Sequence, residues 1–394
     1  MSVAVTGRGV VTSLGEGADA FFDALAAGAS GIVDGLSTAS AFDPERYMDP
    51  RVARRTDRYA QFGVAAADQA ATEAALADCD PDRVAVIIGT GVGGLITLQE
   101  QCESFLARGE RGVSPNFVPM MMPNAAAGAV AIRHGLHGPG FSVASACATG
   151  AHAIGEGMRM IERGAADVVV AGGTEFPLTC ITLAAFSRMG ALSTRNDDPA
   201  RASRPFDAAR DGFVIAEGAG FVVLEPLERA LGRGVHVYGE VAGYGRNADA
   251  YHITAPSPGG AGAAACMQQA LDDAGLGSAD IGHINAHGTS TELNDAAEAE
   301  AIRKVFGDGS PPVTSTKGVF GHMIGGAGAA EAVVALCSIR DGVVPPTANF
   351  EQLGADIDLD VVSGSPREIG PAPVVSNSFG FGGHNATLVL TPTG

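Results

Sequence analysis

Short runs of apolar residues alternate with longer Ala-rich stretches along this chain. Three of the short runs are rich in valine and isoleucine, which is typical of strands buried on both faces. These runs are VAVIIGT around residues 85–90, DVVVAGG at 167–173 and GFVVLEP at 220–226. The Ala-rich stretches have the length of helices and lie at 59–78, 150–163, 262–274, 295–306 and 327–341. The alternation predicts an α/β fold in which helices cover largely buried sheets.

The chain also shows signs of two halves. The run LERALGRGVHVYGEV, residues 227–241, has the pattern of a helix, a glycine stop and a new strand. We therefore predict two units, 1–232 and 233–394. Two pairs of segments suggest duplication: VAVIIGTGVGG with IGHINAHGTST, and FSVASACATG with VVSNSFGFGG. Each member places a polar turn after an apolar strand, a pattern that is common in α/β proteins.

Composition excludes several classes of protein. Apolar residues make up 46% of the 394 residues, enough for a large core, so the chain is not disordered. The 44 acidic residues outnumber the 25 basic ones and give a formal charge of −19, whereas nucleic-acid binders are usually basic. No apolar run is long enough to span a bilayer, no signal-peptide pattern starts the sequence, and the six cysteines lack zinc-site spacing. We expect a cytoplasmic protein without metal, membrane or nucleic-acid partners.

Cys147 is the first candidate for chemistry. In FSVASACATGAHAIGEG an apolar strand ends in small residues, which are followed by the cysteine and then by a helix. Small neighbours allow a sharp turn and the approach of a substrate, and the positive end of the helix dipole favours the thiolate. A similar strand–turn–helix presents the nucleophile of many hydrolases. The alternative is a small buried core cysteine, the commoner role of this residue.

Two further motifs hold histidines. His287 lies in NAHGTSTELND, residues 285–295, after a short strand and beside a glycine. His322 lies in STKGVFGHMIGGAGAAEA, residues 315–332, together with Lys317 and Glu331. A lysine and a glutamate on either side of a histidine indicate an ion pair that holds a polar site. The alternatives are a structural histidine, a solvated lysine and a surface glutamate.

Two glycine-rich segments remain. SNSFGFGGHN, residues 376–385, has three glycines at 380, 382 and 383, and backbone N–H groups in such a turn can serve as oxyanion donors. An ordinary hairpin turn is the alternative. The segment from Gly89 to Gly94 matches the GxGxxG pattern of dinucleotide folds. No strand ending in an acidic residue follows it at the required position, so the sequence argues against a dehydrogenase.

Taken in order, the Cys, His, Lys, His and GFGG motifs resemble the condensing-enzyme family, the β-ketoacyl-acyl-carrier-protein synthases of the thiolase superfamily. The resemblance covers essentially the whole chain and includes AVTGRGVVTSLG near the start and residues 191–220. NAHGTST and the Cys-Ala-Thr-Gly segment look most like the type II elongating enzymes, including type II polyketide ketosynthases. The resemblance implies a thiolase-like fold with two duplicated halves in an αβαβα sandwich. It also implies a homodimer, or a heterodimer with a homologous chain-length-factor-like subunit.

The same resemblance implies a 3-oxoacyl-[acyl-carrier-protein] synthase, an acyltransferase that extends an acyl chain in fatty-acid or polyketide biosynthesis. Malonyl carrier protein would lose CO2 and condense with the acyl chain held on Cys147. The N–H groups of Cys147 and Phe381 would form the oxyanion hole, and His287 and His322 would bind the malonyl thioester carbonyl. Lys317, paired with Glu331, would orient His322. No cofactor is implied beyond the 4′-phosphopantetheine arm of the carrier.

Substrate contacts are implied for five further positions. Thr289 and Thr291 resemble the residues that hydrogen-bond the pantetheine arm. Phe379 and Phe381 resemble an aromatic gate over the acyl pocket, and Met122 falls where the family sets the depth of that pocket.

Carrier docking is implied for a basic segment. The carrier would be acidic, and this region resembles the carrier-docking surface of the family. Its four arginines are Arg51, Arg54, Arg55 and Arg58. The alternative for these arginines is a solvated helix start.

Two departures from the family pattern are visible. His384 replaces the usual Thr after GFGG, which could alter the gate loop, and Gly318 replaces the usual Ser, which would loosen its loop slightly. Both hint at a specialised substrate. Two other functions are alternatives. A non-catalytic chain-length factor would lack Cys147, and a biosynthetic thiolase would carry a second cysteine where His384 lies.

Overall fold

The computed structural model describes residues 1–393, which form thirteen α-helices and fifteen β-strands. The strands are Val3–Thr12 (β1), Gly15–Glu16 (β2), Ile32–Val33 (β3), Leu36–Ser37 (β4), Val84–Gly89 (β5), Gly140–Phe141 (β6), Val168–Glu175 (β7), Gly218–Pro226 (β8), Gly239–Ala248 (β9), His283–Asn285 (β10), Val313–Thr314 (β11), Val343–Val344 (β12), Arg367–Glu368 (β13), Val374–Gly380 (β14) and His384–Thr391 (β15). The helices are Ala18–Ala26 (α1), Pro50–Ala53 (α2), Arg58–Glu73 (α3), Leu95–Arg108 (α4), Phe117–Met121 (α5), Ala125–His134 (α6), Thr149–Glu162 (α7), Cys180–Met189 (α8), Leu227–Arg233 (α9), Ala261–Ala274 (α10), Glu292–Phe306 (α11), Lys317–Phe320 (α12) and Ala327–Asp341 (α13).

The large sheet contains the same five-stranded arrangement twice. Its strand order is β11-β10-β14-β15-β9-β1-β8-β7-β5-β6, with β2 beside β1. If the strands of each half are numbered along the chain, both halves have the order third, second, fourth, fifth, first. In both halves the second strand runs parallel to the third and fourth, and the fifth runs antiparallel to its neighbours. The halves meet where β1 pairs antiparallel with β9. This repeat is the duplication that the sequence predicted.

Helices form three layers around the strands. Helix α3 packs on β1, β7 and β8, whereas α10 packs on β9 and β15. Helices α7 and α13 contact each other in the middle layer, and α13 is buried along almost its whole length. Small residues make this contact possible, since a Cβ at Gly150 would lie 2.7 Å from the backbone nitrogen of Ala329.

The topology corrects one of the two predicted segment pairs. Strands β5 and β10 are both second strands, so the first pairing is right. The strand before Cys147 is β6, whose counterpart is β11, and β14 corresponds to β7 instead. The second pairing is therefore wrong: the counterpart of the Cys147 segment is the one that carries Lys317. Residue 232 lies in α9, and the division of the chain there stays a prediction.

Among residues 1–393, no helix has both the length and the hydropathy needed to span a membrane.

Candidate active site

The candidate catalytic side chains lie beyond the carboxyl ends of parallel strands of the large sheet. Cys147 lies in a single 3-10 turn, Ala146–Ala148, between β6 and α7. The preceding Ala146 has a φ of 50°, in the left-handed region that an L-residue rarely adopts, so the turn is strained. His322 follows β11 and the short helix α12, and His287 follows β10. Two halves of the fold thus contribute to one site.

These three side chains converge. The Sγ atom of Cys147 lies 3.0 Å from Nε2 of His322. The rings of His287 and His322 are 5.4 Å apart between centroids and nearly perpendicular, at 81°. All three side chains line one cavity of about 600 Å³. The cavity gives a substrate access to the sulfur and to both imidazoles.

Burial sets the charge of the site. It raises the pKa of Cys147 to about 12, although the charge of Lys317 and backbone hydrogen bonds from Phe381 and Cys147 lower it. Burial and the charge of Lys317 move the pKa of His287 and His322 well below the usual value. The resting site therefore holds a neutral thiol and two neutral imidazoles at pH 7.

Lys317 is fully buried in an ion pair with Glu331. Its ammonium group also donates a hydrogen bond to the backbone carbonyl of His287, at 2.6 Å. The sequence interpretation assigned Lys317 to the orientation of His322, whereas the structure shows that its direct contact is with the His287 backbone. The buried positive charge keeps the nearby imidazoles neutral.

Glu298 is a site residue that the sequence reasoning missed. Its carboxylate accepts the backbone N–H groups of His287, at 2.8 Å, and Gly288, at 2.7 Å. It also accepts a hydrogen bond from the Asn377 amide at 3.2 Å, and burial raises its pKa to about 7. The sequence signal that could have revealed Glu298 was an acidic residue on the inner face of the helix predicted at 295–306.

Glu175, at the end of β7, was also missed. It accepts backbone hydrogen bonds from Gly91, at 2.6 Å, and Gly325, at 3.0 Å. Burial raises its pKa to about 7. Gly91 belongs to the GxGxxG segment, which in this fold lines the cavity beside Cys147. Glu175 thus ties the first half of the chain to the loop that follows His322.

The turn that carries Phe381 lies directly against the Cys147 turn. A Cβ at Gly380 would lie 2.7 Å from the carbonyl oxygen of Ser145 and 3.0 Å from the nitrogen of Cys147. Only glycine permits this approach without a shift of backbone. The backbone N–H groups of Cys147 and Phe381 are thereby brought to the same sulfur.

Four of the five predicted substrate contacts line the cavity. Thr289 and Thr291 hydrogen-bond each other through their hydroxyls at 2.9 Å, and both line it together with Phe379 and Phe381. Met122 is 37% exposed, and it is not one of the residues within 1–393 that line this cavity. Its assignment to the acyl pocket stays a prediction.

The predicted docking arginines occupy two environments. Arg51, Arg54 and Arg55 are exposed and form no ion pair within the described residues. Arg58 is partly buried, and its guanidinium lies over the rings of Phe42 and Phe62, at 4.9 and 4.5 Å from their centroids. Arg58 therefore contributes to packing, which leaves three arginines free to meet a partner.

Both departures from the family pattern are accommodated. His384 begins β15 and is exposed. Gly318 lies in α12, where a Cβ would meet the carbonyl oxygen of Ala348 at 2.8 Å. The expectation of a loosened loop is wrong, because this glycine permits close packing of a buried segment.

Comparisons with known proteins agree with this geometry. A family model described as beta-ketoacyl synthase, N-terminal domain, matches residues 34–230, and its C-terminal counterpart matches residues 238–351. The 3-oxoacyl-[acyl-carrier-protein] synthase 2 of Coxiella burnetii is 44% identical and covers 99% of this chain and 98% of its own. The enzyme of the same name from Rhizobium meliloti is also 44% identical, over 98% of both chains.

Solved structures show the same likeness. The ishigamide ketosynthase/chain length factor superposes with a TM-score of 0.94 at 33% identity, over 100% of this chain and 99% of that one. A type II PKS acyl-carrier protein in complex with its ketosynthase gives 0.92 at 31% identity, again over 100% and 99%. A beta-ketoacyl synthase from Burkholderia phymatum gives 0.92 at 33% identity, over 100% of both chains. These neighbours confirm the thiolase-like fold. The chain belongs to the β-ketoacyl synthase family and is a condensing acyltransferase.

Proposed function

We propose that this protein extends an acyl chain by decarboxylative condensation with malonyl carrier protein, and that Cys147 holds the acyl chain. The observation that carries the proposal is the thiol 3.0 Å from the His322 imidazole, in a cavity that also presents the neutral ring of His287. Sulfur suits this role because exchange between two thioesters is nearly isoenergetic.

In the first step Cys147 attacks the carbonyl carbon of the acyl thioester. The thiol proton passes to the departing pantetheine sulfur, so the carrier leaves as a free thiol, and the Nε2–H group of His322 lies within hydrogen-bond distance of the Cys147 sulfur. Negative charge develops on the substrate oxygen, where the N–H groups of Cys147 and Phe381 stabilise it. Each product contains one thiol or thioester, and no net proton is consumed.

In the second step the two imidazoles act as hydrogen-bond donors. Nδ1 of His287 and Nδ1 of His322 are buried and have no partner among the described residues. A proton on a buried nitrogen without an acceptor costs more than an unpaired lone pair. We therefore assign the proton to Nε2 in both rings, where it can be donated to the malonyl carbonyl oxygen.

Loss of CO2 breaks the carbon–carbon bond to the malonyl carboxylate and leaves its electron pair on an enolate. The enolate carbon attacks the acyl group on Cys147, a carbon–carbon bond forms, and the cysteine sulfur leaves as thiolate and takes up one proton from solvent. Neutral imidazoles stabilise the enolate oxygen without forming a trapped salt. These steps use no metal or cofactor other than the arm of the carrier.

Two variants separate the steps. Incubation with radiolabelled acyl carrier is expected to label the native protein and the His287→Asn variant, but not Cys147→Ala. Release of CO2 from malonyl carrier is expected to be lost in His287→Asn. Acylation of Cys147→Ala would assign the nucleophile elsewhere, and normal decarboxylation by His287→Asn would remove the role of that ring.

The carrier would dock on the exposed arginines beside α2. Their charge is locally positive on a chain of net charge −19, and opposite charges across an interface raise the association rate. We expect Arg54→Glu with Arg55→Glu to raise the KM for carrier-bound substrate and to leave small thioester mimics unaffected. Equal effects on both substrates would exclude docking at this site. Exposed Glu45, in the 3-10 turn that contacts α2, offers a control, since its change to Gln should leave both values unchanged.

The partner subunit would be a second copy or a homologous chain. Strand β6 is an edge of the large sheet, and Phe141 on it is 42% exposed, beside α6 with its exposed Ile132. An open edge with apolar neighbours favours pairing with another chain. Co-purification distinguishes the cases: a stoichiometric homologue points to polyketide assembly and a homodimer to fatty-acid elongation. A cytoplasmic location stays a prediction.

A further inference from the structure

The condensation site has the donor set of a soft-metal centre. One donor atom from each of Cys147, His287 and His322 lies within 4.8 Å of the other two, and all three residues are buried. We propose that this triad binds a thiophilic divalent cation such as Zn²⁺, and that the metal excludes acyl substrate from Cys147. The ion would be a reversible inhibitor and not part of the catalytic cycle.

The distances are close to those that zinc requires. Tetrahedral Zn²⁺ has bonds of about 2.3 Å to sulfur and about 2.0 Å to nitrogen, which places its donor atoms about 3.3 to 3.6 Å apart. The separation from Cys147 Sγ to His322 Nε2 is 3.0 Å, and the three donor atoms all lie within 4.8 Å of one another. Small side-chain rotations would bring the three atoms to the required spacing.

The chemistry of the donors fits as well. Both imidazoles are neutral, and a shift of the ring proton from Nε2 to Nδ1 would free the Nε2 lone pair for a metal. The Cys147 proton would pass to solvent as the metal–sulfur bond forms, and each of the three protein ligands would displace water from the hydrated ion. The fourth position faces the cavity of about 600 Å³ and would keep a water. Three protein ligands and an open position are the arrangement of catalytic zinc sites.

Other features limit the affinity. Neither Nδ1 atom has a hydrogen-bond partner among residues 1–393, and missing outer-shell partners typically weaken metal binding 10- to 100-fold. The buried ammonium of Lys317 also repels a cation, although its partner Glu331 opposes that effect. We therefore expect a site that chelators empty readily.

Cobalt binding tests the proposal without any substrate, so its failure would leave the condensation mechanism intact. The parent protein would carry Cys102→Ala and Cys180→Ala, because both of these cysteines are exposed and would bind metal on their own. Titration with Co²⁺ is expected to produce a sulfur-to-metal charge-transfer band in the near ultraviolet at one equivalent. The band should disappear in Cys147→Ser and shift in His287→Gln. A band that persists in Cys147→Ser would overturn the assignment.

Alkylation of the native protein gives a second readout that does not depend on the folding of any variant. Zn²⁺ at ten times its dissociation constant should slow iodoacetamide modification of Cys147 about tenfold, and EDTA should restore the rate. Peptide mass spectrometry would follow Cys102 and Cys180 in the same sample as internal controls. Equal protection of all three cysteines, or no protection of Cys147, would refute a triad site.

Discussion

Replacement of Gly380 by Ala tests how closely the two turns of the active site must pack. The new Cβ would lie 2.7 Å from the carbonyl oxygen of Ser145, 3.0 Å from the nitrogen of Cys147 and 3.2 Å from that of Ala148. Ordinary contacts begin at 3.4 Å, so the turns must separate by about 0.7 Å. The atoms involved are backbone, and no side-chain rotation can relieve the contact.

This separation acts on the oxyanion hole. The N–H groups of Cys147 and Phe381 lie on opposite sides of the contact, so moving the turns apart misplaces one donor relative to the other. Loss of one oxyanion donor typically costs about 10²- to 10³-fold in kcat. We expect a fall in the acylation rate of about 10²-fold, with KM for the acyl carrier nearly unchanged.

A stopped-flow measurement of acyl transfer to the enzyme would give both values. Gly232→Ala is the matched control, because a Cβ at this glycine of α9 meets nothing within 4 Å and alanine favours a helix by up to about 1 kcal/mol. It should retain full activity and gain slightly in Tm. If Gly380→Ala acylates at the native rate while its fold is intact, the two turns do not need this spacing and the proposed oxyanion hole is wrong.

Three further outcomes follow from buried charge and exposure. Lys317→Met and Glu331→Leu should each destabilise the fold by about 3–5 kcal/mol in urea unfolding, because each leaves an unpaired buried charge. The double variant should lose much less stability than the sum of the two single losses. Additive losses would mean that the pair is not coupled. His283 is buried without a partner, and burial lowers its pKa to about 3. Below pH 6.5 His283 therefore binds a proton in the unfolded chain but not in the folded chain, and about 2 kcal/mol of stability should be lost between pH 6.5 and 5. His283→Leu should remove that loss. An identical pH profile of stability in both proteins would contradict the burial argument. His384→Thr should condense at close to the native rate, since residue 384 is exposed and lies outside the cavity lining.

Most of the central fold followed from hydrophobic periodicity. The stretch at 327–341 is a helix over the predicted residues, and the strands predicted near 85–90, 167–173 and 220–226 match β5, β7 and β8. These segments are buried, so packing and local preference act in the same direction. The secondary structure of the proline-containing segment that holds Met122 was harder to predict. The short helix α5 has no buried residue, so its sequence lacks the hydrophobic period of a helix.

The site was predictable where its residues stand in unusual local sequences. Cys147 is surrounded by small residues and His322 lies in a glycine-rich stretch, and small residues at a turn signal close approach. Glu175 and Glu298 were not recognised, because a carboxylate on a helix face or strand end looks solvated in sequence. Only the tertiary fold shows that each one accepts backbone N–H groups inside the protein.

The duplicated topology explains why the catalytic groups are spread over the chain. The first half supplies the nucleophile after its third strand, and the second half supplies Lys317 and His322 after the equivalent strand. Glu175 of the first half holds Gly325 of the second half at 3.0 Å, close to His322. Neither half alone contains both the sulfur and an imidazole of the site. The chemistry therefore depends on the interface between the two halves. The small residues along α7 and α13 allow these helices to pack closely there, and this packing brings Cys147 to His322.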